Sequence, residues 1–166
     1  MYQIKHPYHV LITSLIYTNS CAQEHSSIVE FLTMLVGAGG NAGNQATVLV
    51  IRGLATGTMV CTTTDVLDYM RREIKVGVAL ACIMTSIAVL RVLLFGYSLM
   101  DAAAICTSLF AIVSISVVLG ALLPIGLESL GFDPAHAGAM IQVFMDLIGV
   151  FTTCAVCQFF FSQTLL

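Results

Sequence analysis

Asp146 is the residue whose type and position most demand a chemical reason. It stands in a long apolar segment read as a helix over 138–162, which buries the carboxylate roughly 12 Å deep at about 1.5 Å per residue. In a bilayer a lone carboxylate at that depth costs at least about 2.5–3.5 kcal/mol and must face protein, water or an ion. Gln142 at i−4, Gly149 at i+3 and Thr153 at i+7 share its helical face, so the spacing predicts a polar stripe. Two readings stay open: a carboxylate on a transport path, or a protonated acid that hydrogen-bonds between helices.

The second constellation is Gly37-Ala38-Gly39-Gly40-Asn41-Ala42-Gly43-Asn44-Gln45. Glycines and side-chain amides at this density suit a lipid-facing helix poorly. Gly37, Asn41, Asn44, Gln45 and Val48 fall near one helical face and make a stripe of carbonyl oxygens. Hard cations such as Mg²⁺ take oxygen ligands and shed water reluctantly, so amides plus one carboxylate suit an outer-sphere task. They suit a soft metal poorly, since the cysteines do not cluster with them. Gly39-x-x-x-Gly43 is also the small-residue spacing that lets transmembrane helices approach closely, which competes with a ligand role. Gly37-x-Gly39-x-x-Ala42 is a loose dinucleotide fingerprint, but no alternating strand–helix units follow it.

The elements that must hold these residues are membrane helices. Only 9% of the 166 residues are charged and 58% are hydrophobic, against about 25% charged in a soluble domain. Mean hydropathy is +0.98. So few charges cannot cover a soluble surface, which nearly excludes a cytosolic enzyme. The net charge of −3 comes with no basic run, so nucleic acid is not an expected partner. Long uncharged windows predict an all-α, multi-pass transmembrane bundle with helices at roughly 28–51, 73–96, 101–125 and 138–162. Pro124 and Gly126 are expected to end the third, and Gly131-Phe132-Asp133-Pro134 to form the loop before the fourth. Residues 1–27 read as the remnant of a further helix around Val10–Tyr17, or as a signal peptide with a poor cleavage site. Residues 28–162 then form the transmembrane domain and 163–166 a tail.

Arg52, Arg71, Arg72 and Lys75 gather at one connection, which the positive-inside rule places in the cytoplasm. Arg91 opposes that count from the outer end of the second span. Asp65, Asp68, Arg71 and Arg72 read as a short cytosolic helix with an Asp68–Arg72 pair. Thr85, Ser86, Ser114 and Ser116 are expected to bond carbonyls one turn back. Glu30 reads as a solvated helix end that could draw cations to the entrance, and His136 as an interfacial residue. Cys154-x-x-Cys157 has a redox spacing but lies in an apolar helix without flanking Trp or Pro, where a core role is expected.

Four segments carry a family resemblance. Gly39-Gly40-Asn41-Ala42-Gly43-Asn44-Gln45, followed by Val50-Ile51-Arg52-Gly53-Leu54-Ala55-Thr56-Gly57, resembles the second transmembrane helix of the MgtE family of magnesium channels and transporters. Arg72-Glu73-Ile74-Lys75-Val76-Gly77 is similar to the start of its third helix. Leu122-Leu123-Pro124 and Leu130-Gly131-Phe132-Asp133-Pro134-Ala135 resemble its junction of helices four and five. Met145-Asp146-Leu147-Ile148-Gly149 resembles its last helix. The resemblance covers about residues 28 to 162. It implies a homodimeric pore lined by the family's helices two and five, with Mg²⁺ at Asp146 and with Asn41, Asn44, Gln45, Gly40 and Gly43 along the path. That family usually carries cytosolic sensing domains and one more helix, so gating by cytosolic Mg²⁺ is not carried over. The Gly138-Ala139-Met140 start of the last helix also departs from the family pattern.

The expectation is therefore an integral membrane protein that is not an enzyme and needs no organic cofactor. It would pass Mg²⁺, and with it Mn²⁺ or Co²⁺, through a dimeric pore in the lipid bilayer. The alternative is a non-conducting truncated paralogue or fragment that dimerises with or regulates a full-length transporter. A membrane oxidoreductase built on the glycine-rich segment or the cysteine pair would need a bound chromophore.

Overall fold

Apolar runs of this length leave the backbone no partner but itself, and helix is the outcome. A computed structural model describes residues 26–59 and 62–162. Four long helices follow one another: α1 (Ser26–Ala55), α2 (Thr63–Leu94), α3 (Leu99–Ser129) and α4 (Ala137–Ser162), with a 3₁₀ turn at Pro134–His136 before the last. The fold is all-α, as expected. The helix remnant expected around Val10–Tyr17 lies outside the described residues.

The helix ends are specified locally. Gly96 (φ 76°) and Gly131 (φ 78°) take the left-handed conformation just past α2 and α3. At each, the following residue's N–H reaches back five residues: Tyr97 to the Val92 carbonyl (3.4 Å) and Phe132 to the Leu127 carbonyl (2.9 Å). That closes the carbonyls a helix end leaves open. Ser98 caps α3 by accepting from the Asp101 N–H (3.1 Å), and the Asp133 carboxylate accepts from the Ala135 N–H (2.9 Å).

α3 is the hub, with α1, α2 and α4 all packed on it, and α1 also packed on α4. Its fully buried Ile105, Leu109 and Ile112 join Leu35, Ile141 and Met145 in the main core. α2 packs on α3 and presents Ile83, Ile87, Leu90 and Leu94 outward. Among the described residues, three helices are long and apolar enough to cross a membrane, corresponding to α2, α3 and the turn with α4. α1 has 30 residues, about 45 Å of helix, and is the one whose apolar run is broken by three amides.

Three expectations need correction. α3 does not stop at Pro124 but runs on to Ser129. A proline inside a helix removes the N–H that would serve the carbonyl four residues back, here Gly120. Thr47 Oγ1 of α1 donates to that carbonyl instead (2.8 Å), so the break in the ladder is filled from a neighbouring helix. Second, the cytosolic helix and the second span are one helix, and Asp68 pairs with Arg71 (3.3 Å) rather than Arg72. Third, Ser86 bonds the Cys82 carbonyl one turn back (2.8 Å), but Ser116 donates across to the Gly39 carbonyl of α1. Thr85 and Ser114 hydroxyls are buried with no partner among the described residues.

Candidate functional site

Glycine spacing divides α1 into three sides. Gly39, Gly43 and Thr47, each four residues apart, face α3: a Cβ on Gly39 would strike Ile112, and one on Gly43 would strike Ser116 and Ile141. The fit is tightest at Gly120, where a Cβ would fall on the Gly43 carbonyl. The competing packing explanation for Gly39-x-x-x-Gly43 thus describes this side. A second side meets α4: a Cβ on Gly40 would fall on the Gln142 amide, Val36 abuts Gly149, and Asn44 Oδ1 lies 3.4 Å from the Cβ position of Gly138. These pairings run in opposite order along the two helices, so α1 and α4 are antiparallel.

Among the described residues, the third side of α1 is uncovered. Asn41, Gln45 and Val48 are exposed there, as is Asn44 at the border with the α4 side, and nothing lies within 4 Å of a Cβ built on Gly37. Across the α1–α4 seam stand Gln142 and Asp146, both exposed, with Gln142 Nε2 donating to Asp146 Oδ1 (3.2 Å). α3 closes the opposite side of that seam. The structure therefore gathers the carboxylate and the amides along one open flank. Gly40 and Gly43 are buried and hold the helices close, rather than opening onto it. Gly149 and Thr153, expected on the Asp146 stripe, are buried; Thr153 bonds the Gly149 carbonyl (2.8 Å). Chemically the flank offers carbonyl and carboxylate oxygens without a thiol or imidazole, a hard-cation surface with room for a hydration shell.

Two features escaped the sequence reading, the burial of Glu73 and the bond that ties Glu30 to Tyr97. Glu73 is 3% exposed on α2, one turn before Gly77, whose Cβ position is 3.1 Å from Val117 of α3. The Glu73 carboxylate lies 3.7 Å from the Arg72 guanidinium. At the turn between α2 and α3, Tyr97 donates to Glu30, while Arg91 lies over the Phe31 ring at 5.5 Å and the Phe95 ring at 5.9 Å. The bond to Glu30 holds the Tyr97 phenol above its ordinary value of 10.0. Arg91, which opposed the charge count, is thus seated on aromatic faces.

The sequence profile of the MgtE family, described as a divalent cation transporter, matches residues 32–156. The chain belongs to the MgtE family. The matched stretch contains every residue of the open flank. The magnesium transporter MgtE of Thermus thermophilus is 31% identical over 160 residues, covering 90% of this chain and 34% of that protein. The magnesium transporter MgtE of Bacillus subtilis is 27% identical over 136 residues, covering 81% of the chain and 30% of its own length. The chain thus spans about a third of the length of these two relatives. It is an integral membrane protein of this family, whose members are transporters rather than enzymes.

Proposed function

We propose that this chain moves Mg²⁺ across a membrane, with the open α1–α4 flank as its path. The observation that carries the reading is Asp146: an exposed carboxylate on an apolar helix, bonded by a single amide. Lipid is no partner for it, so water and a passing cation are the natural cover. Asn41, Asn44, Gln45 and Asp146 supply oxygens to a hydrated ion, and Gly40 and Gly43 set the separation at which those oxygens stand. The names of both relatives favour Mg²⁺; the same oxygens accept Mn²⁺ and Co²⁺. Residues 28–162 form the transporting unit, with α1 as a fourth span.

A flank of this kind needs a second wall. A two-fold pairing of identical chains supplies one, since a homodimer buries the same surface on both copies. Two carboxylates then face one conduit and match a doubly charged ion. The membrane potential adds roughly 2.3 kcal/mol per charge per 100 mV to inward movement.

Mg²⁺ flux into proteoliposomes tests this, comparing the chain with Asp146→Asn, which keeps shape and removes charge. We expect flux to fall at least about tenfold in the variant, a change of about 1.4 kcal/mol in the barrier. Equal flux in both would return Asp146 to a packing role. No flux in either, from folded dimers, would favour a copy that regulates a longer partner.

A further inference from the structure

A cavity of about 730 Å³ opens where the inner end of α1 meets the first turns of α2, away from the α1–α4 flank. Ligand sites typically measure about 300–1,000 Å³. Arg52 and Arg72 stand in its wall, together with Asp65, Asp68, Thr56 and Thr58. The state of each group defines what could fill it. Asp68 is engaged by Arg71 (3.3 Å), whereas Asp65 and Arg52 have no ion-pair partner among the described residues. Arg72 lies over the Tyr69 ring at 5.1 Å and is 3.7 Å from Glu73, so its guanidinium is braced in place. Thr56 Oγ1 donates to the Arg52 carbonyl (2.9 Å) and Thr58 Oγ1 to the Gly53 carbonyl (3.2 Å). With their protons committed, both hydroxyls can only accept from a ligand.

The wall thus offers two guanidinium groups beside the Asp65 carboxylate and two threonine hydroxyl oxygens, with the Tyr69 hydroxyl buried and unpartnered among the described residues. A bare cation meets the arginines unfavourably, and no group of three or more His, Cys, Asp or Glu gathers to hold a metal among the described residues. A phosphate ester that also carries hydroxyl groups satisfies both halves. The place selects its source: this is the end where Arg52, Arg71, Arg72 and Lys75 cluster, the cytoplasmic leaflet by the positive-inside rule. Basic pockets between helices at that level suit anionic headgroups. Exposed Leu49 in the wall offers an apolar contact for an acyl chain.

We propose that the cavity docks an anionic phospholipid of the phosphoglycerol type. Its phosphate lies between Arg52 and Arg72, and its two free glycerol hydroxyls donate to the Asp65 carboxylate and to a threonine hydroxyl, Thr56 or Thr58. The proposal draws nothing from the transport reading, and either can fail alone.

Native mass spectrometry of the detergent-solubilised full chain, titrated with phosphatidylglycerol and phosphatidylcholine, tests it. We expect phosphatidylglycerol to bind more tightly, and the preference to fall about fivefold with Arg52→Gln or Arg72→Gln. Arg52→Lys, which keeps the charge, should retain most of it. Lys75→Gln, outside the cavity wall, should leave it unchanged. The proposal is overturned by the absence of a phosphatidylglycerol preference, or by a loss with Lys75→Gln equal to that of the arginine variants. Binding of soluble glycerol 3-phosphate as tight as the lipid would overturn it too, by assigning the cavity to a free phosphate ester.

Discussion

Asp146 and Glu73 are both carboxylates on membrane helices, and their surroundings give them opposite characters. Asp146 is exposed and held by Gln142, while Glu73 is turned against α3. The first was legible in the sequence because no other charge stands near it. The second was not: between Arg72 and Lys75 it looks like a solvated surface, and only the register of α2 on α3 buries it. The Gln142 contact suggests a substitution that disturbs the proposed path while leaving Asp146 and the amides of α1 unchanged. A methyl at Gly40 would meet the end of a flexible side chain, so Gln142 can swing away at small cost, surrendering its bond to Asp146. Gly40→Ala should therefore keep the fold and its melting temperature while weakening the concentration dependence of Mg²⁺ flux. At Gly120 the obstacle is the Gly43 carbonyl, which is backbone and cannot swing. Gly120→Ala should cost about 1–3 kcal/mol by forcing α1 and α3 apart. Thermal unfolding of the two variants in detergent separates the cases; equal melting losses would refute the distinction.

At the scale of elements, helix identity was readable, as were the bounds of α4, expected at 138–162 and found at Ala137–Ser162, but the end of α3 was not. Proline reads as a terminator because it withholds one N–H, but the consequence depends on who serves the orphaned carbonyl. Here Thr47 does so from another helix, a partner that only the packed structure can supply. This makes a coupling that a double-mutant cycle can measure. Thr47→Val should destabilise by about 0.6–1.7 kcal/mol, the range for hydrogen bonds between membrane helices. With Pro124→Ala in place, the restored N–H serves Gly120 and the same Thr47→Val change should cost much less. Additive losses would show that the hydroxyl does not compensate the proline. The ties at the α2–α3 turn behave differently, because one of them titrates. Tyr97 donates to Glu30, which raises the phenol above 10.0. A group with a raised folded value contributes stability that is complete below its unfolded value and lost as pH climbs through the folded one. The melting temperature should thus be insensitive to Tyr97 ionisation up to about pH 10 and fall above it. In Tyr97→Phe that part of the fall should be missing.

For the whole molecule the question is what lies against the open flank. α2 and the outer faces of α3 and α4 expose leucine, isoleucine, valine and phenylalanine, a surface lipid satisfies. The α1–α4 flank exposes Asn41, Asn44, Gln45, Gln142 and Asp146, which lipid does not. Buried polar groups in a bilayer need partners of their own kind or water. A second copy turned through a two-fold axis offers both, because identical stripes then face one another across a shared, hydrated gap. Sequence reading reached the stripe on α1 through its 3.6-residue period, yet not the fact that α3 closes one side of the seam and leaves the other open. That asymmetry gives the proposed dimer a testable face. In a cysteine-free background, Asn41→Cys or Gln45→Cys should crosslink between copies when reconstituted at low density, since equivalent positions near a two-fold axis meet each other. Ile87→Cys, outward on α2, should stay monomeric under the same oxidant. If Ile87→Cys crosslinks and the α1 positions do not, the copies meet through α2, and each open flank must serve its path without a second wall from its twin.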